Sequence, residues 1–186
     1  MNRFLKRAWA EIDLNALEHN YNEIKKLAKG KDILAVVKAN AYGHDDKAVC
    51  LKLQELGVKY YGVSNLWEGE KLRCHGITGT ILTFGYTDED YFDELLEYGI
   101  TQTAGSVQYA KQLSDYAVSK GVKLPVHIKV NTGMTRVGID SQQEMLDILD
   151  MPGLDCKAAY THFAAADSLD PSDVEYTDRQ QEKLMK

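Results

Sequence analysis

Two kinds of strand pattern lie near the start of the chain. Residues 33–37, ILAVV, form an unbroken apolar run with three β-branched side chains, which predicts a strand buried on both faces. Residues 8–14, AWAEIDL, alternate between apolar and polar positions instead. That alternation predicts a strand with one face in solvent, and Asn15 is then expected to cap a helix from residue 16 to about residue 27.

After residue 37, helical and extended patterns alternate regularly. Asp45 is expected to cap a helix over 46–56. Further strands are predicted at 60–63, 80–84, 100–103, 126–130 and 154–162, with helices near 66–75, 88–98, 106–119 and 142–150. Six strands separated by helices favour an α/β fold of the TIM type, a parallel (β/α) barrel. The alternative is an open doubly wound sheet, but no GxGxxG follows a strand to support its dinucleotide-binding form.

The length of the chain limits how much of a barrel it can build. A complete barrel has eight βα units and about 250 residues, whereas this chain has 186 residues and about six predicted units. Its final stretch, residues 173–186, is charged and helix-forming and has no capping glycine. We therefore expect one domain over residues 1–186 that is part of a barrel, with the fold interrupted at its end.

Composition narrows the class of protein. The chain is 44% hydrophobic with a formal net charge of −6, so we expect a soluble protein that does not bind nucleic acid. Its three cysteines are widely spaced and form no CxxC pair, which indicates neither a disulfide framework nor a zinc site. This cysteine usage favours a reducing, cytoplasmic setting. No stretch approaches a membrane span and the first residues lack the apolar core of a signal peptide, with a membrane anchor outside this chain left open.

The main chemical signal is a lysine after the apolar run. Lys38 ends the predicted strand and is followed by Tyr42, Gly43 and His44. In parallel α/β sheets the carboxyl ends of strands are where ligands bind. An amine beside apolar side chains loses its proton more readily and can form a Schiff base with an aldehyde. Taken alone, the lysine also fits a solvated strand end.

A second candidate group follows the predicted strand at 126–130. Arg136 lies between Gly133 and Gly138 in NTGMTRVG, where a guanidinium could bind a carboxylate through two parallel hydrogen bonds. Strand alternation places Lys129 and Asn131 on one face. His162 ends the last predicted strand, and no neighbouring ligand set suggests that it binds a metal.

Five segments in order resemble the alanine racemases and the related serine racemases. They are AWAEIDLNALEHN near the start, KANAYGH at 38–44, EKLRCHGI at 70–77, HIKVNTGMTRVG at 127–138 and YTHFAAAD at 160–167. The resemblance implies an enzyme that racemises alanine, serine or both, supplying D-amino acids for cell-wall precursors. It also implies pyridoxal 5'-phosphate as the cofactor.

The resemblance also implies roles for single residues. Lys38 would carry the cofactor and act as a base, with Tyr42 near its phosphate and His162 beside its ring. Arg136 would contact the substrate carboxylate, and Lys129 matches a lysine that many members carry as a carbamate, which positions this arginine. The family commonly has aspartate where Asn131 stands, which alters the charge around the arginine.

Other parts of such an enzyme are expected outside this chain. The resemblance implies that the phosphate-binding groups and the second base are absent here, the latter being contributed by the partner subunit of a homodimer. It also implies two further βα units and a β-rich domain, possibly on a separate chain, with which residues 1–14 would pair. The alternatives are a non-catalytic pyridoxal-phosphate-binding barrel, a structural fragment and, less favoured, a decarboxylase.

Overall fold

The computed structural model describes residues 8–185, which form parts of two compact units, Met1–Ile81 and Leu82–Lys186. Strand β3, Thr80–Thr83, crosses the boundary between the units. Within the first unit the strand order is β1-β2-β3, and within the second it is β3-β4-β5-β6. The pairs β1 with β2, β4 with β5 and β5 with β6 are all parallel. Each strand therefore lies beside its neighbour in sequence, as in a (β/α) barrel.

In the first unit, helices alternate with the strands. Its elements are α1 Leu14–Leu27, β1 Leu34–Val36, α2 Asp46–Glu55, β2 Tyr60–Val63, α3 Leu66–Cys74 and the start of β3. Asp45 caps α2 as predicted, because its carboxylate accepts hydrogen bonds from Lys47 N–H and Ala48 N–H. Tyr61 and Ile81 are fully buried and form part of the core of this unit.

The second unit continues the alternation. After a short 3₁₀ turn at Glu89–Tyr91 its elements are α4 Phe92–Glu97, β4 Ile100–Ala104, α5 Val107–Ser119, β5 Leu124–Lys129, α6 Gln142–Leu149, β6 Leu154–Tyr160 and α7 Pro171–Leu184. Ser141 and Glu144 form a reciprocal capping box at α6. The fully buried side chains of Ile100, Leu124 and Ile148 are part of its core.

Near the start of the chain the structure differs from the predictions at three points, while the predicted pairing of residues 1–14 with a segment outside this chain stays a prediction. Residues 8–13 form no strand, because a strand needs a hydrogen-bonding neighbour and none of residues 8–185 supplies one there. Helix α1 is capped by the Asp13 carboxylate, which accepts from Asn15 N–H at 2.8 Å, so Asn15 is not the cap. Strand β1 is only half-buried, and Val36 is 41% exposed, because β1 is the edge of the sheet and has one neighbour instead of two.

Among residues 8–185, no helix is both long enough and apolar enough to cross a membrane.

Candidate active site

Lys38 opens a left-handed turn, Lys38–Gly43, which we call the lysine turn. The four residues 39–42 have φ between 51° and 56°, in the left-handed region. That conformation costs an L-residue about 1–2 kcal/mol, and a run of four non-glycine residues is rare. Backbone strain of this kind is concentrated at functional sites. Strand β1 ends at Val36, so Lys38 lies two residues beyond the strand instead of ending it as predicted, and it immediately precedes the four strained residues 39–42.

The lysine turn leaves its side chains partly open to solvent. Lys38 is half-buried, and Tyr42 is 60% exposed, so Tyr42 does not serve to fill the core. His44 follows the turn, and its Nδ1 lies 3.0 Å from the carbonyl oxygen of Ala41. Lys38 and Tyr42 therefore belong to one segment of the first unit, as the sequence predicted.

In the second unit, Arg136 lies on residues 130–139, which we call the arginine loop. Asn131 shapes this loop, because its Oδ1 accepts from Gly133 N–H at 3.2 Å and from Thr135 N–H at 2.9 Å. Its Nδ2 donates to Asp140 at 2.7 Å. A side-chain amide can accept and donate hydrogen bonds at the same time, whereas an ionised aspartate could only accept them. Asn131 is therefore suited to organise the loop without adding a negative charge.

Gly138 lets the arginine loop close on itself. Asn131 N–H donates to the Ile139 carbonyl at 2.8 Å, and Ile139 N–H donates to the Lys129 carbonyl at 2.9 Å. A Cβ at Gly138 would lie 2.7 Å from the backbone nitrogen of Asn131, and its φ of 138° disfavours other residues. A side chain at position 138 would thus push the two sides of the loop apart.

Lys129 is the last residue of β5 and is buried, with 7% of its surface exposed. Its Nζ has no hydrogen-bond partner among residues 8–185 and lies 5.1 Å from the centre of the Tyr160 ring. Burial and the positive charge of Arg136 lower the pKa of this amine from 10.5 to about 8. Strand β5 ends at Lys129, so Asn131 lies beyond it, and the shared face predicted for the two residues stays a prediction.

Tyr160, the last residue of β6, lies beside Lys129 and adds further polar contacts. Its hydroxyl lies 2.9 Å from Thr103 Oγ1, which donates to the Thr83 carbonyl at 2.6 Å. Burial raises the pKa of the Tyr160 hydroxyl. The polar side chains at the ends of β4, β5 and β6 therefore face one another.

A cavity of about 420 Å³ opens in the second unit beside Arg136. It is lined by residues that follow three successive strands, namely Phe84, Gly85, Tyr86, Thr103, Gly105, Ser106, Tyr109, Arg136, Val137 and Gly138. Small-molecule sites have volumes of roughly 300–1,000 Å³ and lie at the carboxyl ends of parallel strands. Aromatic rings with one exposed guanidinium suit a small organic anion.

Helix α7 holds the arginine loop in place, which the sequence analysis did not predict. Tyr176 donates its hydroxyl hydrogen to the Gly133 carbonyl at 2.9 Å, and Lys183 Nζ donates to the Asn131 carbonyl at 2.8 Å. Gln180, with 1% exposed, donates to Thr132 Oγ1 at 3.1 Å. The spacing of 176, 180 and 183 places all three on one face of the helix, and this spacing was the available signal.

His162 lies two residues after β6, so it does not end the strand as predicted. Its side chain is exposed, and its carbonyl accepts a hydrogen bond from Gln180 at 3.2 Å. Lys129, Asn131, Arg136 and His162 thus follow two neighbouring strands of the second unit. No group of three or more His, Cys, Asp or Glu side chains placed to hold a metal ion occurs within residues 8–185.

Comparisons with known proteins point to one family. The family model described as the alanine racemase N-terminal domain matches residues 12–186. The alanine racemase of Clostridium perfringens (strain SM101 / Type A) is 39% identical over 188 residues, covering 99% of this chain and 48% of that protein.

Solved structures agree with that match. The alanine racemase of Clostridium difficile 630 in complex with cycloserine has a TM-score of 0.87 and 34% identity, covering 98% of this chain and 53% of that chain. A histidine racemase from Leuconostoc mesenteroides has a TM-score of 0.84 and 27% identity, covering 92% of this chain and 47% of that one. The chain thus spans about half the length of the relatives it matches.

The likeness extends to fold and to sequence. The TM-scores confirm the predicted fold class, a parallel α/β fold of the barrel type. Because the family model matches all but the first 11 residues, the chain belongs to the alanine racemase family and corresponds to its N-terminal domain.

Proposed function

We propose that this chain is the lysine-bearing part of a pyridoxal-phosphate-dependent racemase that interconverts L- and D-alanine, L- and D-serine, or both. The observation that carries the proposal is the position of Lys38, which lies two residues after β1 and begins the lysine turn, in a chain of the alanine racemase family. Its cellular role would be to supply D-amino acids for cell-wall precursors.

The residues present fit the cofactor. Lys38 offers a half-buried primary amine as the covalent anchor, while the exposed Tyr42 and His162 offer a phenol and an imidazole to its phosphate and ring. Pyridoxal phosphate, when bound, supplies an electron sink for the charge that develops at the substrate Cα. Lys38 then holds or releases the Cα proton on one face of the substrate.

Inversion at Cα needs a second base on the opposite face. We assign that base, and the groups that bind the phosphate, to parts of the enzyme outside this chain. The partner subunit of a homodimer would contribute the second base, and the remaining βα units would contribute the phosphate site. This division agrees with a chain that spans about half the length of its relatives.

Arg136 would bind the substrate carboxylate at the cavity of the second unit. Its guanidinium is exposed and lines that cavity, and a planar fork orients a carboxylate through two hydrogen bonds. Lys129 would support it as a carbamate, because a neutral amine can add carbon dioxide and release a proton to solvent, and the carbamate formed would carry a negative charge that attracts Arg136. Asn131 would fix the loop that presents the guanidinium.

Racemisation and Cα hydrogen exchange test the proposal together. The assembled protein, loaded with pyridoxal phosphate, should interconvert the enantiomers of alanine or serine and exchange the Cα hydrogen with solvent deuterium. Borohydride should trap the cofactor on Lys38, as located by mass spectrometry. Lys38→Ala should abolish both activities because the anchor and the base are lost together, and Lys31→Ala, an exposed lysine earlier in the chain, is the matched control.

The outcome also separates the rival functions. Trapping on Lys38 without Cα exchange would identify a non-catalytic pyridoxal-phosphate-binding protein, and carbon dioxide release would identify a decarboxylase. Trapping on a different lysine would overturn the cofactor assignment. We also propose a cytoplasmic location for the assembled enzyme, which cell fractionation would check.

A further inference from the structure

Helix α3 contacts the first half of the lysine turn and the first residue of the helix that follows it. At the beginning of the turn, Ala39 N–H donates to Glu68 Oε1 at 2.8 Å. Further along, Lys71 Nζ lies 3.4 Å from Oδ1 of Asn40 in the turn and 2.8 Å from Oδ2 of Asp46 beyond it. Glu68 and Lys71 are three residues apart on α3 and therefore lie on one face of that helix.

The Glu68 carboxylate is itself held in place. Its Oε2 accepts from Ser64 N–H at 2.8 Å and from the Ser64 hydroxyl at 2.7 Å. The backbone N–H of Glu68 donates to the capping Asn65 side chain at 3.1 Å. With Oε2 fixed by Ser64, Oε1 is directed toward the backbone next to Lys38.

Electrostatics favour the ionised form of Glu68. Partial burial acts to raise its pKa, but hydrogen bonds from Ser64 and Ala39 and the positive charge of Lys38 outweigh burial and lower the pKa. A hydrogen bond to an ionised carboxylate is stronger than one between neutral groups. The bond to Ala39 N–H is therefore of the stronger kind.

Asn40 of the lysine turn is tied to the buried Asp46 at the start of α2. Asn40 Oδ1 accepts from Asp46 N–H at 3.1 Å, which closes the turn onto the first residue of α2. Asp46 is 3% exposed and forms its ion pair with Lys71. Two side chains of α3 therefore contact the strained residues Ala39 and Asn40, and one of them also pairs with Asp46 beyond the turn.

We propose that Glu68 is a positioning residue for Lys38. The peptide bond between Lys38 and Ala39 sets the direction of the Lys38 side chain, and the Glu68 carboxylate fixes that peptide by accepting its N–H. Lys71 restrains the neighbouring Asn40 directly and through Asp46, which binds the same side chain. The inference rests on the proposed function for what the Lys38 amine does, but the contact itself does not depend on it.

Amide hydrogen exchange tests the contact without any cofactor. In the assembled protein, Glu68→Ala should speed exchange at Ala39 by about tenfold or more, because a hydrogen bond to a charged acceptor is lost. Glu68→Gln keeps an acceptor oxygen and should restore part of the protection. Glu70→Ala is the matched control, since residues two apart on a helix do not share a face, and far-UV circular dichroism verifies that each variant is folded.

Kinetics and borohydride trapping test the positioning role. With cofactor, Glu68→Ala should lower kcat for racemisation about tenfold while KM changes less than about twofold, and it should lower the fraction of Lys38 trapped by borohydride. Glu68→Gln should fall between the wild type and Glu68→Ala. If Glu68→Ala does not fold, the comparison of Glu68→Gln with Glu70→Gln decides the same point.

The possible failures can be told apart. Unchanged exchange at Ala39 in Glu68→Ala overturns the inference, and so does faster exchange with unchanged kcat and unchanged trapping. If the wild-type protein racemises no amino acid and carries no cofactor on Lys38, the proposed function fails, whereas faster exchange at Ala39 still upholds the contact with Glu68.

Discussion

Lys129 is the residue whose chemistry depends most on its surroundings. In water a lysine is almost fully protonated at neutral pH, but burial and Arg136 lower the pKa of Lys129 to about 8. A sizeable fraction of the amine is then neutral near pH 8 and able to react with carbon dioxide. The sequence placed this lysine beside Arg136 through the family resemblance, but only the structure shows an unpartnered Nζ among residues 8–185.

The same lowered pKa predicts how stability depends on pH. Between pH 8 and 10.5 the unfolded chain holds a proton on Lys129 and the folded chain does not, so stability rises with pH in that window. Below pH 8 the buried charge costs on the order of 3 kcal/mol. Lys129→Met should therefore raise Tm by several degrees at pH 7 in carbon-dioxide-free buffer, and the gain should shrink as pH rises above 8.

Thermal unfolding at several pH values checks this prediction, with the exposed Lys31→Met as the control. Labelled bicarbonate should in addition give a carbamate signal that is present in the wild type and absent in Lys129→Met. A gain in Tm that stays constant from pH 7 to pH 10 would show that Lys129 is not responsible for the pH dependence.

At the scale of elements, the hydrophobic pattern and the helix-capping residues predicted most of the fold. Strands β2 to β6 and the helices after residue 45 lie within a few residues of their predicted places, because buried strands and capped amphipathic helices are set by local sequence. The lysine turn was not predicted, because Lys38, the two alanines and Tyr42 have no local preference for positive φ, and Ala39 and Asn40 are held by Glu68 and Lys71 of α3. Contacts distant in sequence decide such segments.

Helix α7 likewise makes contacts that local sequence does not predict. Its charged sequence predicts a solvated helix but not which residues the helix contacts. Gln180 is fully hydrogen-bonded, because its Oε1 accepts from Ala164 N–H at 2.9 Å and its Nε2 donates to Thr132 and to the His162 carbonyl. One buried amide thus joins the segments after β5 and β6. The loops carrying Arg136 and His162 depend on a helix that sequence analysis gave no functional role.

Gln180→Ala should lower the free energy of unfolding by about 1–3 kcal/mol, because it leaves the Ala164 N–H and the His162 carbonyl without their partner. Amides of the arginine loop should also exchange faster. Urea unfolding and hydrogen exchange measure the two effects, and Gln181→Ala, an exposed glutamine one residue along, is the control. Equal losses in the two variants would contradict the role given to Gln180.

At the scale of the whole molecule, both outer strands of the sheet leave surface uncovered. In the first unit Val36 of β1 is 41% exposed, and in the second unit Lys157, Ala158 and Ala159 of β6 are exposed. Each of these strands has one neighbour within residues 8–185. Unpaired strand edges favour association with another segment. The relatives are about twice as long as this chain, so they contain further residues that could form such a segment.

We predict that residues 1–186 alone do not racemise amino acids and that a companion segment restores activity. That segment would add two βα units that pair with β1 and β6, and a β-rich domain that pairs with residues 1–14. Each backbone group that it pairs would otherwise cost about 1–3 kcal/mol if buried unsatisfied.

Coexpression with such a segment, from the same protein or as a separate chain, should slow amide exchange in β1 and β6 together and produce racemase activity in a homodimer. Gel filtration reports the assembly, and the chain purified without the segment is the control. Racemisation by residues 1–186 alone at a rate well above that of free pyridoxal phosphate would contradict the prediction, because a site completed by other segments and a partner subunit cannot function without them.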